Sequence, residues 1–321
     1  MIDEKIIQTA RRTIQMEADS ISRLKDFVDA DFERALEVIA GSKGRLVVSG
    51  IGKSAIIAKK IVATLNSTGT PSVFMHAADA IHGDLGMVQE EDIIIVISKS
   101  GDSPEIKILV PLIKGFGNML IGMVGNTESF LAGQSEIVLN TTVDQEACPN
   151  NLAPTTSTTA QMVMGDALAV CLMEMKGFDK ADFAKFHPGG ALGKRLFLRV
   201  ADIASQNEKP AVLPGAGIRE VIMEMTNKRL GVTAVVDGDN MVEGIITDGD
   251  LRRMLEKAGS LESLKAKDIM SKMPITVTGD LLAVEALEIM KTKNISQLIV
   301  ADKMSYNGVI HIHDVIKEGI I

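Results

Sequence analysis

The sequence has little of what nucleic-acid-binding and membrane proteins need. Among its 321 residues there is no Trp and only one Tyr, and the formal net charge is -8. Nucleic-acid binding uses basic faces and stacking rings, so this composition argues against it. No apolar run approaches the roughly 18 residues that span a bilayer, and the first residues do not resemble a positively charged signal region. We therefore expect a cytoplasmic protein with no nucleic-acid or membrane partner.

Cysteine is scarce as well. Cys148 and Cys171 are the only two cysteines, too few for a disulfide framework or for a zinc site of their own, and they suit a reducing compartment. The 46% hydrophobic and 24% charged content is that of a globular protein. A chain of this length can form two domains with a substantial core.

Short apolar runs alternate with helical patterns in the first half of the chain. Residues 3–40 are predicted to form two helices, and five short strands are predicted after them. These strands are Arg45–Ser49, Ser72–Met75, Ile93–Ile97, Met119–Val124 and Ile137–Asn140. The alternation predicts an α/β fold: a doubly wound, parallel, five-stranded sheet flanked by helices, with ligands at the carboxyl ends of the strands.

A serine-rich stretch follows the third predicted strand. Ser98, Ser100 and Ser103 lead into Pro104 and Glu105, a pattern typical of a strand, a tight loop and a helix N-terminus. The free amides and positive dipole end of such a helix, with three hydroxyls, can hold a phosphate group. The same pattern also fits a capped helix with a solvated Glu105.

A second glycine-rich turn follows the first strand. A nucleotide P-loop would need glycine at position 47, where this chain has Val47, so Gly52-Lys53-Ser54 is not an ATPase loop. Because loops that follow parallel strands meet at one sheet edge, we expect these segments to form one anion-binding site. The small and hydroxyl residues predicted to contact the ligand there are Ser49, Gly50, Ser54, Ser98, Ser100, Ser103 and Thr155.

The last third of the chain repeats itself. Gly244 and Asp250 recur 64 residues later as Gly308 and Asp314, each within a strand, helix, strand, strand, helix pattern. A half of about 55 residues is too small to bury much of its surface. The two halves are therefore expected to pack as a pseudo-twofold α+β module.

Five motifs in order carry a resemblance to known families. Residues 40–180 resemble a sugar isomerase (SIS) domain, and the two repeats resemble a pair of CBS domains. Together they closely resemble the arabinose 5-phosphate isomerase family over nearly the whole chain. The motifs are Ser49-Gly50-Ile51-Gly52-Lys53-Ser54, His82-Gly83-Asp84-Leu85-Gly86, Ser98-Lys99-Ser100-Gly101, Ala153-Pro154-Thr155-Thr156-Ser157 and His187-Pro188-Gly189-Gly190-Ala191-Leu192-Gly193. The expected segments are N-terminal helices over 1–40, the SIS domain over 40–185, a linker over 186–200, and CBS domains over 201–258 and 266–321.

The resemblance implies an activity. The family interconverts ribulose 5-phosphate and arabinose 5-phosphate, the first step towards the Kdo sugar of lipopolysaccharide or capsule, as a homotetramer that needs no cofactor. It implies substrate contacts at Gly69, Thr70 and His82, and inhibitory zinc at His76. The residues to which it assigns catalytic relevance are Lys53, Glu105, Glu146 and His187.

The chemistry of such an isomerase suits these side chains. Moving a carbonyl between C1 and C2 requires a carboxylate that removes a carbon-bound proton, and a cation that stabilises the charge on the enediol oxygen. A second acid shuttles protons between the two oxygens, and Lys53 and His187 fit these two parts. We prefer Glu146 as the base, with Glu105 and His187 handling ring opening and oxygen protons, although exchanging the two glutamates fits equally well.

The CBS resemblance implies a regulatory ligand, either a nucleotide or a nucleotide-sugar. Asp250 and Asp314 are placed to bind ribose, and Thr247 suits a phosphate, but its counterpart in the second repeat is His311. A purely structural role for the pair also fits. For the whole chain, the alternatives are another phosphosugar isomerase or a non-catalytic sugar-phosphate sensor, although no basic helix-turn-helix is evident.

Overall fold

A computed structural model describes residues 4–257, without the side chain of residue 257, and residues 263–320. The chain divides into two compact units, Met1–Phe186 and His187–Ile321. The segment ends predicted at residues 1, 258 and 321 lie outside the described residues, and the predicted segment limits stay predictions. Within the described ranges, no helix combines the length and the apolar character needed to cross a membrane.

The first unit is built on five parallel strands. They are β1 (Leu46–Gly50), β2 (Ser72–His76), β3 (Ile93–Ser98), β4 (Leu120–Val124) and β5 (Ile137–Asn140). They lie in the order β2-β1-β3-β4-β5, and every neighbouring pair is parallel. This arrangement confirms the predicted α/β fold.

Helices follow or precede each strand of this sheet. They are α1 (Glu4–Leu24), α2 (Ala30–Gly41), α3 (Gly52–Ser67), α4 (Ala77–Ala80), α5 (Pro104–Phe116), α6 (Phe130–Gln134), α7 (Thr156–Lys176) and α8 (Lys180–Phe186). A 3₁₀ turn over Lys25–Phe27 separates α1 from α2, and Asp29 caps α2 by accepting hydrogen bonds from two of its first backbone amides. The two helices predicted at the start of the chain are thus confirmed.

Both faces of the sheet are covered. Val48 and Ile95 point to the face that packs against α3 and α7, whereas Val47 and Ile94 point to the face covered by α5. Side chains alternate between faces along a strand, so a strand buried on both faces must be apolar at every position. This explains why the strands are continuous β-branched runs.

A buried acidic residue holds the amino edge of the sheet. Asp92, only 2% exposed, accepts hydrogen bonds from the Arg45 backbone amide at 2.8 Å and from its Nη2 at 2.7 Å. The Gln89 amide donates to the same carboxylate at 3.0 Å. Burial by itself raises the pKa of Asp92, but the Arg45 hydrogen bonds outweigh it and lower the pKa.

The second unit contains two mixed sheets. Its helices and strands are α9 (Ala191–Phe197), α10 (Val200–Ala204), β6 (Ala211–Val212), α11 (Ile218–Lys228), β7 (Val232–Val236), β8 (Val242–Thr247), α12 (Asp248–Lys257), α13 (Ala266–Ile269), β9 (Ser271–Lys272), β10 (Thr276–Val277), α14 (Ala283–Lys293), β11 (Gln297–Asp302), β12 (Ser305–His311) and α15 (Ile312–Lys317). The sheet orders are β6-β7-β8-β9 and β10-β11-β12.

The two repeats form one interlocked module. Residues of β7 and β8 share an apolar cluster with residues of β11 and β12. The helix ahead of the first repeat, α10, packs in the core of the second, and Ala266 of α13, ahead of the second repeat, packs in the core of the first. Each repeat therefore completes the other, as their small size predicts.

Replacing Asp92 tests the ion pair at the amino edge. Asp92→Ala leaves two backbone amides and a guanidinium without their acceptor, so we expect a loss of about 2–4 kcal/mol of unfolding free energy. Urea unfolding followed by circular dichroism measures it. Lys185 is exposed and pairs with Asp182, so Lys185→Ala supplies the control and should leave the midpoint nearly unchanged. Equal losses in the two variants would contradict this role.

The same carboxyl predicts a pH dependence. Because folding lowers the pKa of Asp92, its contribution is fully present above its unfolded pKa and is lost as the pH falls through the folded value. The stability gap between wild type and Asp92→Ala should therefore narrow on acidification from pH 7 towards pH values below about 4. Thermal midpoints across this range provide the measurement, and a gap independent of pH would count against the ion pair.

Candidate functional site

The loops that follow the strands of the first unit all begin at the same edge of the sheet. Because the strands are parallel, the ends of β1, β2, β3 and β5 all lie at this carboxyl edge. Ser49 and Gly50 end β1, His76 ends β2 and Ser98 ends β3. Glu146 lies in the loop between β5 and α7.

The serine loop, residues 98–103, is a tight turn that ends at the start of α5. The Ser98 hydroxyl accepts a hydrogen bond from the Gly101 amide at 3.0 Å. Gly101 has φ +68°, and a Cβ there would lie 2.0 Å from the Ser129 hydroxyl, so only glycine fits. The buried Ser103 hydroxyl has no hydrogen-bond partner among the described residues, and Ser100 is exposed.

Two charged side chains beside this edge are available to a ligand. Glu105 is half-buried in the first turn of α5, and Lys53 is exposed in the first turn of α3. Within residues 4–257 and 263–320, neither forms a hydrogen bond or an ion pair. Neither side chain would therefore have to leave a protein partner in order to contact a ligand.

The turn after β1 is closely packed. A Cβ on Gly50 would lie 3.0 Å from the backbone of Ser54, so glycine allows the strand to approach the start of α3. The Ser54 hydroxyl donates to Gln161 Oε1 at 3.1 Å and thereby joins α3 to α7. Ser49 Oγ is buried and has no partner in the described part of the chain.

Glu146 is a fully buried carboxylate at the N-terminus of α7, with a relative exposure of 1%. Its Oε2 accepts from the Thr155 amide at 2.8 Å and from the Ser157 amide at 3.1 Å. Its Oε1 accepts from the Ser157 hydroxyl at 2.5 Å. The carboxylate thus satisfies amides at the start of the helix, where the helix dipole also favours a negative charge.

Lys99 completes the surroundings of Glu146. Its Nζ lies 2.7 Å from Glu146 Oε1, and its side chain is 45% exposed. Burial by itself raises the pKa of Glu146, but the hydrogen bonds from Lys99 and Ser157 outweigh it and lower the pKa to about 2. This carboxylate therefore stays ionised at neutral pH.

Sequence reasoning missed Lys99 and Ser157. Both lie inside motifs that carry the family resemblance, so the motif positions were a usable signal. Ser157 is 11 residues from Glu146 in the chain, but Lys99 lies in another loop, after β3, and only the fold brings it to this carboxylate.

The two predicted histidine positions are at or near the end of β2. His76 Nδ1 lies 3.5 Å from Asp79 Oδ2, and His82 is exposed in the following loop. The described residues contain no group of three or more His, Cys, Asp or Glu side chains that could hold a metal ion. His76 and Asp79 alone do not fit a complete zinc site within one chain, so the zinc prediction gains no support from this geometry.

Gly69 and Thr70 are not brought together with the serine loop in this unit. They precede β2 and so lie at the amino edge of the sheet. Lys176 Nζ donates to Thr70 Oγ1 at 2.9 Å, beside a cavity of about 160 Å³ that Arg45 also lines. Burial lowers the pKa of Lys176. The amino-edge position of Gly69 and Thr70 follows from the sequence, because both residues precede a predicted strand.

His187 is the first residue of the second unit. Its carbonyl accepts a hydrogen bond from the Gly190 amide at 3.1 Å. A Cβ on Gly193 would lie 2.2 Å from the same carbonyl oxygen, so this turn requires glycine. The predicted catalytic role of His187 stays a prediction.

A cavity of about 220 Å³ in the second unit is lined by Thr247, Asp250 and Arg253 of the first repeat and by Ile295 and Gln297 of the second. Asp250 Oδ2 accepts from the Thr247 hydroxyl at 2.7 Å, and Arg253 Nη2 donates to Oδ1 at 2.7 Å. Burial by itself raises the pKa of Asp250, but the hydrogen bonds from Thr247, Arg253 and Ser271 together outweigh it and lower the pKa.

The equivalent carboxylate of the second repeat has different neighbours. Asp314 Oδ2 accepts from Asn207 Nδ2 at 2.8 Å and from the His311 amide at 3.0 Å. His311 replaces the threonine hydroxyl of the first repeat, and its Nδ1 accepts from the His313 amide at 3.0 Å. The two equivalent carboxylates therefore have different hydrogen-bond partners.

Comparisons with known proteins agree with this architecture. A SIS domain model matches residues 39–171, and a CBS domain model matches residues 200–257 and 266–320. Arabinose 5-phosphate isomerase KdsD of Yersinia pestis is 45% identical over 315 residues, which cover 98% of this chain and 96% of the relative. The enzyme of the same name from Pseudomonas aeruginosa is 46% identical over 317 residues, covering 98% and 97%.

A solved structure supports the same assignment. The structure of E. coli CFT073 c3406 in complex with arabinose 5-phosphate is 39% identical and has a TM-score of 0.57, covering 59% of this chain and 100% of that one. The identity to the KdsD relatives extends over nearly the full length of both chains, across the SIS and CBS domains. This chain therefore belongs to the arabinose 5-phosphate isomerase family.

Proposed function

We propose that the chain interconverts D-ribulose 5-phosphate and D-arabinose 5-phosphate through an enediol intermediate. The observation that carries the proposal is the pairing of a buried, unpartnered hydroxyl, Ser103, with an unpaired carboxylate, Glu105, at one helix start in the described part of the chain. The Ser103 hydroxyl can donate a hydrogen bond to a phosphate oxygen, and the Glu105 carboxylate can remove a proton from carbon. The KdsD relatives are named for this isomerisation, and c3406 was solved in complex with arabinose 5-phosphate.

The serine loop is the proposed phosphate site. The first amides of α5, a helix of 13 residues, offer donors and a positive dipole end to an anion. Ser100 and Ser103 add hydroxyl donors. The Ser98 hydroxyl accepts from the loop itself but keeps its own hydrogen for a phosphate oxygen.

Glu105 is the proposed base for the carbon-bound proton. A general base works best when its pKa is near the working pH and its oxygen can reach the substrate. The pKa of Glu146 is about 2, and protein groups occupy both of its oxygens. We therefore favour the second of the two assignments that the sequence left open, with Glu146 in a positioning role.

Lys53 is the proposed electrophile. Its ammonium is free to approach the oxygen on which the enediol gathers negative charge. His187 is proposed as the second acid, acting in the pocket of a neighbouring subunit of a homotetramer. We also propose that the product supplies Kdo synthesis.

Incubation with ribulose 5-phosphate tests the activity directly. We expect signals of arabinose 5-phosphate to appear in the NMR spectrum until an equilibrium mixture forms, and the reverse reaction from arabinose 5-phosphate to reach the same mixture. Hexose and heptose phosphates supplied separately test the other phosphosugar isomerases. Turnover of one of these instead, or binding of sugar phosphate without turnover, would reject the proposal.

Replacing Glu105 tests the assignment of the base. Glu105→Gln keeps the size of the side chain but cannot take a proton, so kcat should fall by about 10²–10⁴-fold. The exposed Glu174 on α7 supplies the control, and Glu174→Gln should turn over like wild type. A Glu105→Gln enzyme within about tenfold of wild type would exclude Glu105 as the base.

The CBS module is proposed to bind one nucleotide or nucleotide-sugar per chain, at the first repeat. The support is the cavity beside Thr247 and Asp250. Asp250 suits ribose hydroxyls, and Arg253 adds a cation for a phosphate. In the second repeat, His311 and Asn207 occupy the neighbourhood of Asp314.

Calorimetric titration of the full chain with adenine nucleotides tests this asymmetry. We expect one site per chain, weakened about tenfold or more by Asp250→Asn because an acceptor for ribose is lost. Asp314→Asn, the matched change in the second repeat, should leave the affinity unchanged. Two equivalent sites, or loss of binding in the Asp314 variant instead, would contradict the proposal.

A further inference from the structure

Lys99 joins two loops at the carboxyl edge of the first unit. It follows β3 directly, and its ammonium lies 2.7 Å from Glu146 Oε1 in the loop after β5. The Glu146 side chain is completely buried, whereas that of Lys99 is 45% exposed. The ion pair therefore connects the exposed part of the serine loop to the buried start of α7.

The backbone of Lys99 holds a third loop. Its carbonyl accepts a hydrogen bond from the Gly125 amide, just after β4, at 3.1 Å. A Cβ on Gly125 would lie 2.9 Å from that carbonyl oxygen and 3.2 Å from Lys99 Cγ, so glycine is needed for this approach. Thr142, after β5, donates to the Gly125 carbonyl at 3.0 Å. The loops after β3, β4 and β5 are thus fastened around one residue.

Glu146 passes this constraint on to α7. Ser157 holds the carboxylate through both its amide and its hydroxyl. A buried carboxylate lowers the free energy of unfolding unless its oxygens accept hydrogen bonds. Moving any of its donors away would therefore destabilise the fold, and this holds each donor in place. Lys99 is the only cation paired with Glu146 among the described residues.

We propose that Lys99 is a positioning residue of the isomerase reaction. By pairing with Glu146, it keeps the serine loop and the adjoining first turn of α5, with Glu105, at a fixed distance from α7. This inference rests on the proposed function, since the serine loop binds the phosphate and Glu105 takes the proton only in that reaction. Lys99 itself transfers no proton.

Loss of Lys99 should act through Glu146. The carboxylate would keep its burial but lose its cation, so its pKa should rise from about 2. In the same loop, backbone hydrogen bonds from Ala153 and Leu152 lower the pKa of the Cys148 thiol, whereas the charge of Glu146 acts to raise it. Protonation of Glu146 would break the pairs that hold the serine loop. As the pH falls, a Lys99 variant should therefore lose activity at a higher pH than the wild type does.

Steady-state kinetics of Lys99→Met test the proposal. We expect kcat to fall by about 10²-fold, as for a small misplacement of reacting groups, with the acid limb of kcat/KM shifted upward. Lys99→Arg, which keeps the charge, should recover most of the activity. The control is Lys114→Met, since Lys114 pairs with Glu136 on the surface of the same unit at 3.6 Å; its kcat and pH profile should match wild type.

A double-mutant cycle separates positioning from general destabilisation. The double variant Lys99→Met/Glu146→Gln lacks both the buried charge and the cation that pairs with it. Its thermal midpoint should therefore exceed that of Lys99→Met. Its loss of kcat should be less than the product of the losses in the two single variants. Independent effects of the two substitutions would overturn the pairing.

The outcomes distinguish this inference from the proposed function. A wild-type enzyme that does not isomerise ribulose 5-phosphate overturns both. An active wild type whose Lys99→Met variant stays within about twofold in kcat, with an unmoved pH profile, overturns the positioning role alone. Failure of Lys99→Arg to recover activity also counts against it, since the proposal requires only a cation at this position.

Discussion

The charge of Glu146, buried at the start of α7, constrains the whole carboxyl edge of the first unit. A carboxylate removed from water must find donors for both oxygens. Here they come from the first turn of α7 and from Lys99. Because these donors belong to segments separated along the chain, satisfying one charge also determines the separation of the loops that carry the site.

The same constraint gives two glutamates different chemistry. Glu146 has its oxygens occupied and a pKa of about 2, so it stays ionised and holds its neighbours. Glu105 lies one turn into α5, half-buried and unpaired among the described residues. Two identical functional groups thus have different surroundings through burial and hydrogen bonding, which is how enzymes with paired carboxylates separate their pKa values.

The second unit shows a duplicated backbone whose two copies carry different polar residues at equivalent positions. The repeats share strand order and exchange their leading helices, because neither can bury its apolar face alone. Their polar residues differ. A threonine hydroxyl supports Asp250 in one repeat, whereas His311 stands in that position in the other. The repeats thus share their packing but not the surroundings of this carboxylate.

The local patterns of the sequence determined the strands, the start of α5 at Pro104 and the repeat, since each depends on residues close together in the chain. The position of Gly69 ahead of a strand also followed from the sequence. The pairing of Lys99 with Glu146, and the different surroundings of Glu105 and Glu146, were decided only by the tertiary structure. Burial and the partners of a charge are set by distant segments that meet when the sheet forms, and no local pattern encodes that meeting.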